Sequence, residues 1–242
     1  MDKPVAPSSS GAGRASAGPN PHAHHLRVER TARYYTLGAT TGAPRTIWFV
    51  LHGYAQLAGI FVRFFNDLAN DETLVIAPEA LNRFYLLNPD EAAAKDRPVG
   101  ATWMTREDRE SEISDYVEYL DALYDEVAAK SAQFGAKVNV IGFSQGAATS
   151  TRWVVNGKAK IDRLVLWGGL LPPEPDLSRG PSLFRGARLT LVLGDSDQYV
   201  NDTMFSAEQL RLEAAKIPFD AIKYAGGHSI KRSVFPRLLQ GV

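Results

Sequence analysis

The pentapeptide GFSQG at residues 142–146 limits the possible folds of this chain more than any other stretch. The apolar run before it, at residues 138–141, is typical of a short buried strand, and the small residues at 147–149 are typical of a closely packed helix. So sharp a turn has room only for small residues two positions before and after its centre. The pattern therefore predicts that Ser144 stands at the carboxyl end of a strand with its hydroxyl exposed, as a nucleophile requires. A plain Gly-Ser turn is the alternative.

Strands and helices alternate along the rest of the chain. Apolar runs predict further strands at residues 33–37, 46–51, 73–77, 163–167, 188–193 and 219–224. Amphipathic patterns predict helices at residues 58–69, 109–134, from the serine turn to about 155, 202–216 and 231–239. This order predicts an α/β fold with a mostly parallel central sheet and helices on both faces, whose ligands bind beyond the carboxyl ends of the strands. Residues 78–108 and 168–186 are predicted to be long loops.

The amino-terminal composition predicts the domain organisation. Residues 1–26, rich in Pro, Ser, Ala and Gly, show no periodicity and are predicted to be a disordered tail before a single domain at residues 27–242. They contain no basic start followed by an apolar stretch, so the cytoplasm is the expected location. The tail histidines His22, His24 and His25 lack a rigid scaffold, and adventitious metal binding is expected there rather than a built site.

Charge and cysteine content exclude several classes of function. The chain has 27 Lys and Arg against 27 Asp and Glu, which argues against nucleic acid as the main partner. It has no cysteine, which excludes disulfides, thiolate metal sites and a cysteine nucleophile. No apolar run approaches the roughly 18 residues that a membrane span needs. These limits leave a serine, histidine or carboxylate chemistry open.

Polar residues follow several predicted strands and are candidates for a catalytic site. A serine hydroxyl needs a base, and a neutral imidazole suits that role near pH 7. His228 follows the last strand beside two glycines, whereas His52, the other candidate outside the tail, follows the strand at residues 46–51. The imidazole in turn needs a carboxylate, which Asp195 or Asp197 provides after the penultimate strand, in the order Ser, Asp, His.

With these residues the chain resembles the phospholipase/carboxylesterase family of α/β-hydrolases, which includes acyl-protein thioesterase-like and bacterial carboxylesterase enzymes. The resemblance covers roughly residues 46–239. It rests on L-H-G at 51–53, G-F-S-Q-G-A at 142–147, G-x-x-D-x-x-V at 194–200 and G-H at 227–228. The spacing of the third motif favours Asp197 over Asp195 as the acid. The chain departs from the family pattern at residues 54–56, at Gln198 and at residues 103–104, and these departures concern the substrate more than the chemistry.

The resemblance implies an α/β-hydrolase fold and a serine carboxylesterase that uses no metal and no cofactor. Ser144, Asp197 and His228 would form its catalytic triad, and the backbone N–H groups of Tyr54 and Gln145 would form its oxyanion hole. The sequence agrees with both donors, since Gln145 begins a helix and Tyr54 leaves a buried strand toward the same edge. His52 is expected to shape this loop.

The substrate of such an enzyme is expected to be a carboxylic ester with a short to medium acyl chain. Four residues of the long loop at 78–108 are expected to line the acyl side of the site, namely Phe84, Tyr85, Trp103 and Met104. Two alternatives stay open. The first is a thioesterase or lysophospholipase that acts on longer acyl chains, and the second is a non-catalytic ligand-binding protein with the same fold.

Overall fold

The chain divides into two units, residues 1–31 and residues 32–242. In the first unit, residues 21–31 are exposed and form neither helix nor strand. Most of the predicted tail, residues 1–20, lies outside the described residues. The computed structural model describes residues 21–40, 43–87 and 93–240.

A mostly parallel seven-stranded sheet forms the centre of the second unit. The strands of the described chain are β1 Tyr34–Gly38, β2 Thr46–Leu51, β3 Thr73–Pro78, β4 Asn82–Tyr85, β5 Val99–Thr102, β6 Lys137–Phe143, β7 Arg163–Trp167, β8 Arg188–Gly194 and β9 Phe219–Tyr224. The spatial order in the large sheet is β1-β3-β2-β6-β7-β8-β9. Strand β1 runs antiparallel to β3, and the other neighbours are parallel. This confirms the predicted sheet.

Helices pack on both faces of this sheet. They are α1 Ala58–Phe61, α2 Arg109–Val127, α3 Ala129–Gln133, α4 Gln145–Asn156, α5 Asp202–Ala214 and α6 Phe235–Leu239. In β2, Ile47 and Phe49 join the core beneath α2 and α4, whereas Trp48 and Val50 join the core beneath α1 and α6. This alternation explains why the strand is apolar throughout. Across the three described segments, no helix has both the length and the apolar character needed to span a membrane.

Two predicted helices are shorter than the sequence indicated. The helix predicted at residues 58–69 tightens after one turn into a 3₁₀ helix, Val62–Phe65. Phenylalanine and valine are only moderate helix formers, and the rings of Phe61 and Phe65 pack in the core with their centroids 5.2 Å apart. The helix predicted at residues 109–134 divides into α2 and α3 at Ala128, which leaves helical geometry with φ −124° and ψ −33°.

The long loop predicted at residues 78–108 contains an antiparallel ribbon of β4 and β5. This ribbon contacts the residues that follow β2, since Ala55 N–H donates to the carbonyl of Ala101 at 2.9 Å and Ala101 N–H donates to the carbonyl of Gln56 at 3.1 Å. A Cβ atom on Gly100 would lie 2.5 Å from the carbonyl oxygen of Ala55, so only glycine allows this approach. The ribbon thereby fixes the loop after β2 at the carboxyl edge of the sheet.

Candidate active site

Ser144 lies at the turn between β6 and α4, directly after the carboxyl end of the strand. Its φ of 53° and ψ of −117° are strained for a residue with a side chain. A Cβ atom on Gly142 would lie 2.2 Å from the carbonyl oxygen of Gly146, and one on Gly146 would lie 2.3 Å from that of Leu51. Two glycines are therefore needed to bring the start of α4 against β6 and β2 with Ser144 raised at the strand end.

His228 and Asp197 form a hydrogen-bonded pair. The Nδ1 atom of His228 lies 2.7 Å from Oδ2 of Asp197, whose side chain is 0% exposed. The other carboxylate oxygen, Oδ1, accepts the backbone N–H groups of Tyr199 at 2.8 Å and Val200 at 3.0 Å. These two donors fix the carboxylate so that its second oxygen faces the imidazole. A histidine that donates from Nδ1 has Nε2 free to act as a proton acceptor.

Asp195, the other candidate for the acid, has a different partner. Its Oδ1 accepts the backbone N–H of Gly226 at 3.0 Å and the hydroxyl of Ser196 at 2.9 Å. The hydrogen bond from Gly226, and after it the one from Ser196, lowers the pKa of the exposed Asp195 carboxyl. Asp195 thus holds the backbone of the loop that carries His228, and Asp197 contacts the imidazole itself.

Two glycines that the sequence analysis missed bring the serine and the histidine into one neighbourhood. Gly168 and Gly169 follow β7, and Gly168 has a φ of 58°. A Cβ atom on Gly168 would lie 3.1 Å from Nδ1 of His228, and one on Gly169 would lie 2.7 Å from the carbonyl oxygen of Ser144. The ring of Phe143, the residue before Ser144, also lies near His228, with 4.8 Å between the two ring centroids. The sequence signal that could have identified these two residues is a pair of glycines directly after a buried strand.

The loop that carries His228 is held by a further residue that the sequence analysis missed, Tyr224. Its hydroxyl donates to the carbonyl of Ser229 at 2.6 Å and accepts the indole N–H of Trp167 at 3.2 Å. Burial raises the pKa of the Tyr224 hydroxyl, which keeps it in the neutral, hydrogen-donating form. The histidine loop therefore has fixed anchors at β9 and β7 as well as at Asp195.

The Tyr54 backbone N–H belongs to a peptide unit that His52 orients. The Nδ1 atom of His52 donates to the carbonyl of Gly53 at 2.8 Å, while its Nε2 accepts the N–H of Ala80 at 3.1 Å. In a trans peptide the C=O and N–H point in opposite directions, so fixing the Gly53 carbonyl turns the Tyr54 N–H the other way. Burial lowers the pKa of His52 to about 4, and the neutral ring can serve as donor and acceptor together.

Gln145 provides the second predicted N–H donor at the start of α4, where a backbone N–H has no acceptor within the helix. Its side chain is anchored, because Nε2 donates to Oγ1 of Thr102 and to the carbonyl of Met104, each at 2.9 Å. Its Oε1 accepts the backbone N–H of Trp103 at 3.1 Å. Gln145 thus connects the nucleophile turn with the end of the β4–β5 ribbon.

Trp103 does not line an open acyl wall, contrary to the sequence interpretation. It is 2% exposed, and its indole N–H donates to the carbonyl of His52 at 2.9 Å. Its ring also lies 5.2 Å from the His52 imidazole. Trp103 therefore supports the loop after β2 from the protein interior and is inaccessible to a substrate.

The other three residues expected to line the acyl side have separate surroundings. The Phe84 ring lies 5.3 Å from the ring of Tyr54. Tyr85, the next residue of β4, is 51% exposed, and successive residues of a strand point to opposite faces. Met104 is half-buried beside Gln145, to which its carbonyl is hydrogen-bonded. Phe84 and Met104 thus lie next to the two N–H donor residues, and Tyr85 points away from Phe84.

Within the described residues, no group of three or more His, Asp or Glu side chains is arranged to hold a metal ion. The histidines His24 and His25 of the first unit are exposed. His228 and Asp197 are joined by the hydrogen bond between Nδ1 and Oδ2 that is described above.

Comparison with known proteins bears on the family and the fold of this chain. A family model described as Phospholipase/Carboxylesterase matches residues 41–240. Among solved structures, a carboxylesterase from Mesorhizobium loti aligns with a TM-score of 0.63 and 19% identity, over 87% of this chain and 95% of that chain. Acyl-protein thioesterase 2 of Zea mays aligns with a TM-score of 0.61 and 17% identity, over 87% of this chain and 97% of that chain. No curated protein sequence matches the chain significantly. These structural likenesses confirm the predicted α/β-hydrolase fold.

Proposed function

Because the chain belongs to the phospholipase/carboxylesterase family of ester-hydrolysing enzymes, we propose that it is a serine carboxylesterase for esters of short to medium acyl chains. The observation that carries this proposal is the hydrogen bond between His228 and the buried carboxylate of Asp197, beside the strained turn of Ser144. A serine, a histidine and a carboxylate in this arrangement supply a nucleophile, a base and the group that orients the base.

In the proposed mechanism, the Ser144 hydroxyl attacks the ester carbonyl carbon while Nε2 of His228 accepts the hydroxyl proton. Asp197 keeps the proton of Nδ1 in place and stabilises the imidazolium that forms. The tetrahedral intermediate then collapses, its C–O bond to the alcohol breaks, and the leaving oxygen takes the proton from Nε2. Water attacks the acyl-enzyme in the same way, with His228 as its base, and releases the acid. Every proton has a protein group to carry it, so the proposed reaction requires no cofactor.

The negative charge on the intermediate is proposed to lie against the backbone N–H groups of Tyr54 and Gln145. The support is structural: the peptide before Tyr54 is oriented by His52, and Gln145 is at a helix start, where the helix dipole favours negative charge. Loss of one such donor in a hydrolase costs about 10² to 10³ in kcat.

A thioesterase acting on longer acyl chains is the second candidate, and the likeness to the Zea mays acyl-protein thioesterase 2 favours considering it. The same residues would serve either ester or thioester cleavage, so only the substrate separates the two functions. Hydrolysis of p-nitrophenyl butyrate should be compared with hydrolysis of butyryl and palmitoyl thioesters of coenzyme A. A kcat/KM that is highest for the palmitoyl thioester would replace the carboxylesterase proposal by the thioesterase one.

Labelling with a fluorophosphonate tests whether the chain is a serine hydrolase or a non-catalytic binding protein. The parent should be labelled on Ser144 and should hydrolyse p-nitrophenyl butyrate, and Ser144→Ala and His228→Ala should each lower kcat by about 10⁵ to 10⁶. Ser114→Ala, which changes an exposed serine on α2, is the matched control and should keep full labelling and activity. A folded parent with neither label nor activity would instead favour the binding protein.

A further inference from the structure

Tyr199 contacts the imidazole of His228 and is largely open to solvent. The two ring centroids are 4.6 Å apart, with an interplanar angle of 65°, and Tyr199 is 67% exposed. Its backbone is fixed on both sides, because its N–H donates to Oδ1 of Asp197 and the next residue, Val200, is 7% exposed. A large aromatic ring is therefore held out beside the imidazole by a well-anchored turn.

The proposed reaction determines which part of a substrate meets this ring. The leaving oxygen has to accept a proton from Nε2 of His228, so the alcohol part of the ester must lie within hydrogen-bond distance of the imidazole. Two aromatic rings of the described chain border that imidazole, those of Phe143 and Tyr199. Phe143 is 4% exposed, so of these two rings only Tyr199 is accessible to a bound alcohol group.

We propose that Tyr199 forms the wall of the alcohol side and selects esters of arylalkyl alcohols, a statement that rests on the proposed esterase function. An aromatic group on the leaving alcohol stacks against the exposed ring or meets it edge to face, and it covers apolar surface that otherwise faces water. A small alkyl alcohol leaves that surface exposed. The expected acyl side is separate from this contact. The ribbon of β4 and β5 is bonded to the loop after β2, and two strands, β6 and β7, lie between β2 and β8 in the sheet.

The test compares benzyl butyrate with ethyl butyrate in the parent, Tyr199→Ala, Tyr199→Phe and the control Phe134→Ala. The two esters differ only in the alcohol, whose oxygen is bonded to a CH₂ group in both. The parent should favour benzyl butyrate in kcat/KM, and Tyr199→Ala should lower that preference by about tenfold, the size of an aromatic contact. Tyr199→Phe retains the ring and should retain the preference. Phe134→Ala should also leave the preference unchanged, because Phe134 is 81% exposed and precedes the amino end of β6, whereas the candidate site is at the carboxyl ends of the strands.

A second readout separates an alcohol contact from a general structural effect. Benzyl, ethyl and p-nitrophenyl butyrate all form the same butyryl-enzyme. The rate of its deacylation, measured with p-nitrophenyl butyrate from the slow phase after the burst of p-nitrophenol, should therefore be the same in the parent and in Tyr199→Ala. A loss of deacylation rate in Tyr199→Ala as large as the loss in kcat/KM would mean that the ring supports His228 and would overturn the inference. An unchanged ratio of benzyl to ethyl ester in Tyr199→Ala would also overturn it.

The proposed function and this inference fail in different ways. If the parent hydrolyses neither ester, the proposed function is refuted, and titration of the parent and Tyr199→Ala with benzyl alcohol, followed by nuclear magnetic resonance, still tests the contact. Weaker binding to Tyr199→Ala by about tenfold would support the contact. Equal binding would overturn it.

Discussion

Replacing Asp197 by asparagine is expected to lower kcat by about 10⁴ while the protein stays folded. The cause is the pair of backbone N–H groups, from Tyr199 at 2.8 Å and Val200 at 3.0 Å, that donate to Oδ1 of Asp197. An asparagine has one oxygen to accept these bonds and one NH₂ group that can only donate. The backbone donors therefore decide which end of the amide faces His228.

The size of the effect can be worked out from this arrangement. If the NH₂ group took the place of Oδ1, one buried and one partly buried hydrogen bond would be lost at about 1 to 3 kcal/mol each. The amide oxygen is therefore favoured at that place by about 2 to 6 kcal/mol, a factor between about 30 and about 3 × 10⁴. The NH₂ group then faces Nδ1 of His228. Because NH₂ can only donate, Nδ1 must accept this hydrogen bond, and the ring proton moves to Nε2. That tautomer cannot take the proton of Ser144, and the loss of the negative charge also destabilises the imidazolium.

The assay is steady-state hydrolysis of p-nitrophenyl butyrate, with folding checked by circular dichroism and urea unfolding. Asp195→Asn is the matched control, because Asp195 is exposed and its oxygen accepts from Gly226 N–H and the Ser196 hydroxyl, both of which an amide oxygen can still satisfy. Its kcat should stay within about tenfold of the parent. If Asp195→Asn were the inactive variant and Asp197→Asn the active one, the assignment of the acid would be wrong.

Two further outcomes are expected. The free energy of unfolding should fall by about 3 kcal/mol from pH 7 to pH 4 through His52 alone, because its pKa is 6.5 when unfolded and burial lowers it to about 4, so acid favours the unfolded chain. Urea unfolding across this range checks it, and the same pH slope in parent and His52→Gln would contradict the reasoning. On p-nitrophenyl esters from acetate to palmitate, kcat/KM should be highest at short to medium chains, because the described residues between β4 and α2 form no helix long enough to be a lid. Faster turnover of palmitate than of butyrate would contradict it.

The sequence predicted the parts of the fold that local chemistry determines. Strand β2 occupies Thr46–Leu51 and strand β7 occupies Arg163–Trp167, as predicted. Strands of a parallel sheet are buried on both faces, and short continuous apolar runs between polar turns are therefore typical of them. The turn at Ser144 was also predictable, since its glycines are required by contacts within a few residues and with the neighbouring strand. The sequence therefore predicted the frame on which the candidate site is built.

Contacts between distant parts of the chain were beyond the sequence patterns. The ribbon of β4 and β5 is short, and its strand NRFY has no apolar alternation that would mark a core face. The role of Trp103 depends on a carbonyl 51 residues earlier in the chain, so an aromatic residue in a loop was interpreted as part of a substrate wall. The sequence patterns identified candidate residues in this loop, but they could not predict whether each side chain would face the core or the solvent.

The departures from the family pattern at residues 54–56 and 103–104 act on the same short loop. Trp103 donates to the carbonyl of the peptide between His52 and Gly53, and Gln56 accepts its N–H at 2.8 Å, so both ends of that peptide are held. The next peptide is held by the His52 imidazole through the Gly53 carbonyl, and its N–H is the one proposed to bind the oxyanion. A glycine-rich loop must lose backbone freedom to present such a donor, whereas anchored side chains fix it before the substrate arrives. From the sequence, these departures were expected to concern the substrate more than the chemistry, but their contacts hold the loop that carries a donor of the proposed oxyanion hole.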